Sequence, residues 1–229
     1  METYWLCFKL LSDATFGRGE GLAGLVDREV DHDRYGLPYL RGRTLKGLLN
    51  EECANILWAL EEWQGADRER WGKTAQRLLG GPGSSLANDA RLRIGASRLP
   101  ADLRRAVRQA LEAQDATLQP ADVLGSLTAI RRQTAVDEAT GVPEEGTLRA
   151  MRVVLRETPF EARLTFLDGG KRDDLPLLVA CVLALRRAGT SRNRGRGRLR
   201  ASLHSDQDGR PGADITRQQF EVFAQEVRR

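Results

Sequence analysis

Over residues 3–11 large apolar side chains fall on both faces of a two-residue period, which predicts a central strand. Past residue 44 the period lengthens. Leu45, Leu49, Ile56, Leu60 and Trp63 recur at helical spacing, so a helix with one buried face is expected from Thr44, its N-cap, to about Gln64. Pro38 disfavours helix at Leu37, just upstream. Alternation returns over 91–96, 147–155 and 160–167, each read as a strand. A second long helix is expected over 173–187, with Asp174 as cap, Pro176 in the first turn and Gly189 as the closing residue. Its buried stripe is Leu177, Leu178, Cys181, Val182 and Leu185. Residues 192–203 read as a strand, and 216–229 as an amphipathic helix opened by a capping box of Thr216 and Gln219.

The segments between these elements are long. Residues 12–35 form a polar loop made pliable by Gly17, Gly19, Gly21 and Gly24, and long polar loops inside compact domains are usually functional or disordered. Residues 65–116 read as an insertion: a polar connection over 65–88 with a Gly, Pro and Ser break at 80–85, the strand over 91–96, and a short helix over 100–114. In that helix Leu103, Val107, Ala110 and Leu111 are expected inward. Residues 117–147 are poor in large apolar residues and hold a turn at Thr140, Gly141, Val142 and Pro143, so a protruding hairpin is expected. The order strand, helix, strand, insertion, strand, helix, strand predicts one α+β domain over 1–229. It has an antiparallel sheet with helices on one face, the ferredoxin-like plan also used by RNA-recognition modules.

Composition narrows the class. Apolar residues at 41% and charged residues at 30% exclude a disordered chain, and no apolar run approaches a bilayer span. The N-terminus lacks a basic start and a small-residue cleavage site, so it reads as strand, not signal peptide. Cys7, Cys53 and Cys181 lie far apart in apolar segments and read as core thiols of a cytosolic protein. A net charge of +4 allows a nucleic-acid partner without demanding one. Lysine stands only at Lys9, Lys46, Lys73 and Lys171, and the other cations are arginine. Arginine forks suit phosphate, but a compositional bias gives the same enrichment, so clustering is the better guide.

Two basic clusters stand out. Arg41, Gly42, Arg43, Thr44 and Lys46 lie at the expected start of the first long helix, where free amides and the helix dipole favour an anion. An ordinary basic loop before a helix reads the same way in isolation. Arg192, Arg194, Arg196, Arg198 and Arg200 alternate strictly and would share one face of an extended chain, while Gly195 and Gly197 open the backbone to a ligand. A charge-blunted edge strand is the alternative, but five like charges in sequence favour a phosphate partner. Arg131 and Arg132 form a third basic pair beside the expected hairpin. Acid chemistry is confined to Asp27, Asp31, His32 and Asp33 of the polar loop, a weak set for zinc or magnesium. No P-loop, dinucleotide fingerprint or nucleophile elbow is present.

Three segments together resemble a known family. Leu37, Pro38, Tyr39, Leu40, Arg41, Gly42, Arg43, Thr44, Leu45, Lys46 and Gly47 look like the stretch ending in Leu-Lys-Gly of the RAMP proteins of CRISPR systems, in particular the backbone subunit of type III effector complexes. Thr134, Ala135, Val136, Asp137, Glu138, Ala139, Thr140 and Gly141, followed by Glu145, Gly146, Thr147 and Leu148, are similar to its thumb hairpin, and Arg194, Gly195, Arg196 and Gly197 match its Gly-rich loop. Gly24, Leu25, Val26, Asp27, Arg28, Glu29 and Val30 resemble the segment holding the catalytic aspartate of target-cleaving members. Two departures concern the subtype: Arg43 and Thr44 replace the family's serine pair, and Leu79 and Gly80 its aromatic-Gly signature. The resemblance implies a cytoplasmic subunit that polymerises with further copies and other subunits along a crRNA. The guide's phosphates would lie on a palm, with a thumb over 117–147 displacing nucleotides. It also implies that Asp27 helps cut the paired single-stranded target RNA with Mg²⁺ or Mn²⁺, through the neighbouring 2′-hydroxyl. A non-catalytic crRNA-binding backbone, and a processing endoribonuclease using a base such as His32, remain as alternatives.

Overall fold

Residues 1–17, 26–62, 67–81, 90–134, 141–142 and 149–228 are described by a computed structural model. Gly19, Gly21 and Gly24, Trp63, the break at 82–85 and much of the expected hairpin tip lie outside them. Strand β1 (Glu2–Leu10) sits at the centre of a five-stranded antiparallel sheet with β2 (Leu92–Ile94), β5 (Pro159–Phe166), β6 (Leu199–Gln207) and β7 (Arg210–Asp214), in the order β2-β5-β1-β6-β7. Register places Leu6 of β1 between Ala162 and Leu203, so the buried residues of three strands share one face. Trp5, Arg163 and His204 turn to the other. Helix α1 (Gly42–Glu61) and helix α5 (Asp174–Ala184) pack together on the buried side. Without insertions, β1–α1–β2 and β5–α5–β6 in this order are the split βαβ plan, as the order of hydrophobic periods implies.

Several element boundaries differ from expectation. α1 begins at Gly42, not Leu45: Arg41 is its N-cap, with no capping bond from its side chain, and Thr44 is exposed inside the first turn. The stretch 65–88 holds helix α2 (Arg68–Leu79), capped by the Asp67 carboxylate, which accepts the Arg70 N–H at 3.0 Å. Its apolar face is short, Trp71, Leu78 and Leu79 with Thr74, and its polar residues are used in ion pairs, so it reads as a connection. In α3 (Ala101–Glu112) Val107 and Leu111 meet the core, whereas Leu103 and Ala110 stay exposed. α5 ends at Ala184 with Asp173 in its N-cap position, and Asp174 is spent on the Lys171 N–H and on Arg77. Helix α6 (Thr216–Val227) has no capping box, because the Thr216 hydroxyl bonds the Leu203 N–H and carbonyl. The three cysteines are free, and burial pushes the half-buried Cys7 thiol up to about 12.

The hairpin is present at its base. Helix α4 (Pro120–Leu127), unforeseen, leads into β3 (Thr128–Gln133), which pairs antiparallel with β4 (Arg149–Val154). Ala14 and Val154 exchange N–H···O bonds of 3.0 and 2.7 Å, tying this ribbon to the palm.

Arg70 fastens α2 to α5 and α6. Its guanidinium donates to Asp173 and, at 2.8 Å, to Glu226, and it holds the Asp173 carboxyl below the usual value of 3.8. Arg70→Ala should destabilise by about 1–2 kcal/mol, read as a thermal midpoint lower by about 2–8 °C at pH 7. Because Asp173 is depressed in the folded state, its contribution exists above pH 3.8 and fades as pH falls through it. The gap between wild type and variant should therefore narrow below that pH; a gap constant with pH would count against the pair.

Candidate nucleic-acid interface

Residues 26–31 do not wander as a loop would. The Asp27 N–H donates to the Ala150 carbonyl at 2.8 Å and the Arg152 N–H to the Arg28 carbonyl at 3.0 Å, so this segment lies beside β4 through one parallel bridge, Arg28 to Met151. The Ala150 N–H in turn donates to the Asp27 carboxylate at 2.6 Å. Asp27 is exposed yet anchored by backbone and side chain to one residue of the thumb ribbon, which corrects the expectation of a pliable mount.

The other acids of the segment are structural. Glu29 is buried against Arg152 at 2.8 Å, and its carboxylate accepts the Val30 N–H. Asp31, 3% exposed, takes a two-pronged bond from Arg41, 2.7 Å on each arm, as a buried carboxylate must to offset its desolvation. Asp33 accepts the Tyr35 and Leu37 N–H groups and shapes a turn. His32 is half-buried with Nδ1 on the Asp33 carbonyl and does not line the cleft described below. A general base at His32 is not supported there.

The Gly- and Arg-rich stretch is also not the strand expected. Arg192–Arg194 is a 3₁₀ turn flanked by Ser191 at φ 60° and Gly195 at φ 79°, and β6 begins only at Leu199. The left-handed residues break the alternation, so the arginines point to different places. Arg192 pairs with Glu51 of α1 at 3.0 Å, Arg194 is exposed, and Arg196 reaches the Met151 sulfur at 2.6 Å. Gly197 sits at φ 67°, where a Cβ would lie 1.9 Å from the Ala188 carbonyl oxygen.

These pieces enclose a cleft of about 550 Å³. Asp27 and Arg28 form one wall, Arg192 and Arg194 another, and Gln133, Arg149 and Met151 of the thumb base close it. The sequence pointed to Asp27, Arg192 and Arg194, and the fold brings them together. It missed Arg28 and Arg149; Arg28 could have been suspected as the neighbour of Asp27, but Arg149 carries no local signal. The cleft holds one carboxylate among four guanidiniums, and among the described residues no group of three His, Cys, Asp or Glu could hold a metal. Asp27 alone suits a hydrated Mg²⁺ or Mn²⁺ shared with a phosphate, as these ions often bind, and does not suit a resident metal centre.

The basic turn at the start of α1 stands apart from this cleft, which α1 meets farther along, through the Arg192–Glu51 pair. Arg41 is committed to Asp31, and that partnership raises its own pKa. Gly42 is a packing residue, since a Cβ there would lie 2.5 Å from the Ile94 carbonyl oxygen. Arg43 and Thr44 are exposed and Lys46 half-buried, so the anion-facing part of the turn reduces to these three. Arg131 donates to Asp13 at 2.8 and 3.0 Å, while Arg132, one residue on, projects from the opposite face of β3 and is exposed. Gly195 has open space around it.

A family model described as the RAMP superfamily matches residues 7–200. Two solved structures share the fold at 12% identity. One is a chain of the type III-B Cmr-beta complex bound to cognate target RNA, with a TM-score of 0.60, covering 89% of this chain and 97% of that one. The other is a chain of the same complex in its apo state, with a TM-score of 0.59, covering 91% and 98%. No protein of curated function matches the sequence.

Proposed function

The chain belongs to the RAMP superfamily, and from that premise we propose that it is a guide-RNA-binding backbone subunit of a type III CRISPR interference complex, polymerising along the crRNA and cutting paired target RNA at Asp27. One observation carries the reading: Asp27, the exposed carboxylate of its segment, faces Arg192 and Arg194 across a cleft floored by the thumb base. RNA brings its own nucleophile. The 2′-oxygen attacks the adjacent phosphorus, its proton passes to the Asp27 carboxylate, and the 5′-oxygen leaves and takes up a proton. A 2′,3′-cyclic phosphate and a 5′-hydroxyl result. Arg192 and Arg194 stabilise the charge that builds on the phosphoryl oxygens. A hydrated Mg²⁺ or Mn²⁺ bound with the substrate phosphate would add further neutralisation.

A passive backbone is the second reading, and the Ala150–Asp27 bond favours it, because that bond gives the carboxylate a structural task. The purified chain with a guide RNA should form head-to-tail assemblies whose length follows the RNA, an open heterologous arrangement. Added complementary RNA should be cut at regular intervals with Mg²⁺ or Mn²⁺. Assemblies that bind the target and leave it whole support the passive reading; no RNA-dependent assembly at all sinks both.

A further inference from the structure

On the other side of the Gly- and Arg-rich loop lies a second hollow of about 410 Å³, lined by Ser12, Asp13, Arg131, Arg156 and Arg196 with Leu11. It is separated from the Asp27 cleft by the contact of Arg196 with Met151, since Arg196 lines the hollow and Met151 the cleft. Arg131 and Gln133 lie two apart on one face of β3, opposite Met151 and Arg149, so the two depressions follow one another along that face.

The chemistry of the two differs. The hollow gathers three guanidiniums from three separate segments around a single carboxylate. Both oxygens of that carboxylate are engaged: one accepts Arg131 at 2.8 and 3.0 Å, the other the Arg156 N–H at 3.1 Å. The hollow is therefore a cationic cradle with no free base. The cleft, by contrast, has a carboxylate exposed to solvent. A complex that cuts one strand and keeps the other must hold the kept strand's phosphates where nothing can remove a 2′-proton.

On the proposed reading of Asp27, we infer that the Arg131, Arg156 and Arg196 hollow binds a phosphodiester of the strand that is not cut, the guide, while Arg192 and Arg194 serve the strand that is. Arg156 is the new residue in this assignment. Its side chain makes no hydrogen bond among the described residues, and its backbone N–H keeps Asp13 satisfied whatever the side chain is. Arg156 is an exposed lining residue of the hollow, so its side chain is open to a partner from outside.

The full chain is titrated with a fluorescent single-stranded guide RNA across a salt series, and single-turnover cutting of a complementary RNA is measured on the assembled complex. Arg156→Ala retains the Asp13 bond and the fold. It should weaken guide binding by about fivefold and flatten the slope of log affinity against log salt by about 0.7, one single-strand phosphate contact. Arg194→Ala should register mainly in the cutting rate. Guide affinity and slope unchanged in Arg156→Ala would overturn the assignment. So would an Arg194→Ala variant that loses guide affinity as strongly as Arg156→Ala, because one strand would then run through both depressions. If the wild-type complex never cuts, the reading of Asp27 fails, while guide affinity and salt slope still decide what the hollow holds.

Discussion

Asp27→Ala should bind guide and target with near wild-type affinity and cut the target about 10²-fold or more slowly, the scale of one general acid–base group. The carboxylate is the exposed acid of the cleft, and the other acids of its segment are occupied: Glu29 by Arg152, Asp31 by Arg41, Asp33 by two backbone N–H groups. Asp31→Ala would take away the carboxylate that holds Arg41 at the start of α1 and should register as lost stability. Asp27→Asn separates chemistry from architecture. An amide oxygen can still accept the Ala150 N–H that now meets the carboxylate at 2.6 Å, but the amide cannot take the 2′-proton. If Asn and Ala are equally slow while both complexes assemble and melt like wild type, the carboxylate is the base. If Asn cuts at the wild-type rate, Asp27 only shapes the thumb base and the base lies elsewhere.

The resemblance singled out Asp27, but composition and spacing alone do not separate Asp27, Asp31 and Asp33, which sit in one short run. What separates them is distant pairing. Asp27 meets Ala150 at a separation of 123 residues, and Asp31 meets Arg41 only after the chain has turned back at residues 33–37. The strict arginine alternation was legible as a pattern and misleading as geometry. Left-handed backbone at Ser191, Gly195 and Gly197 turns the stretch into a knuckle, which sends Arg192 and Arg194 to one depression and Arg196 to the next.

The palm was legible because its signals are local. Periods of two and of 3.6 mark β1, α1, β5 and α5 without reference to anything distant, and their order implies the sheet. α2 was missed because much of its attachment is electrostatic. Arg70 and Arg77 reach carboxylates about a hundred residues away, and no window sees that. α4 did carry a local mark: Pro120 follows Gln119, whose side chain and that of Asp122 cap each other's backbone. Low apolar content in the surrounding stretch obscured it.

Gly197→Ala should be among the most damaging glycine-to-alanine changes at the described residues. The residue sits at φ 67°, which already disfavours any side chain, and its added Cβ would lie 1.9 Å from the Ala188 carbonyl oxygen. Relief by a small shift is blocked. The Gly197 carbonyl accepts the Ala188 N–H and its own N–H donates to the Asp13 carbonyl, each at 2.9 Å, so moving the loop breaks both bonds. The expected loss is about 3 kcal/mol or more, a fall in thermal midpoint of about 6–12 °C for a chain of this size. Gly195→Ala is the control. It has a similar φ of 79° but open space around the position, so only the conformational term remains, about 1 kcal/mol and about 2–4 °C. RNA affinity should follow the same order, because the loop anchored at Gly197 sets where Arg192, Arg194 and Arg196 stand. Equal shifts in the two variants would mean that the close approach to Ala188 is not what demands glycine there. The loop would then be free to reset, and the separation of the two basic depressions would lose its structural cause.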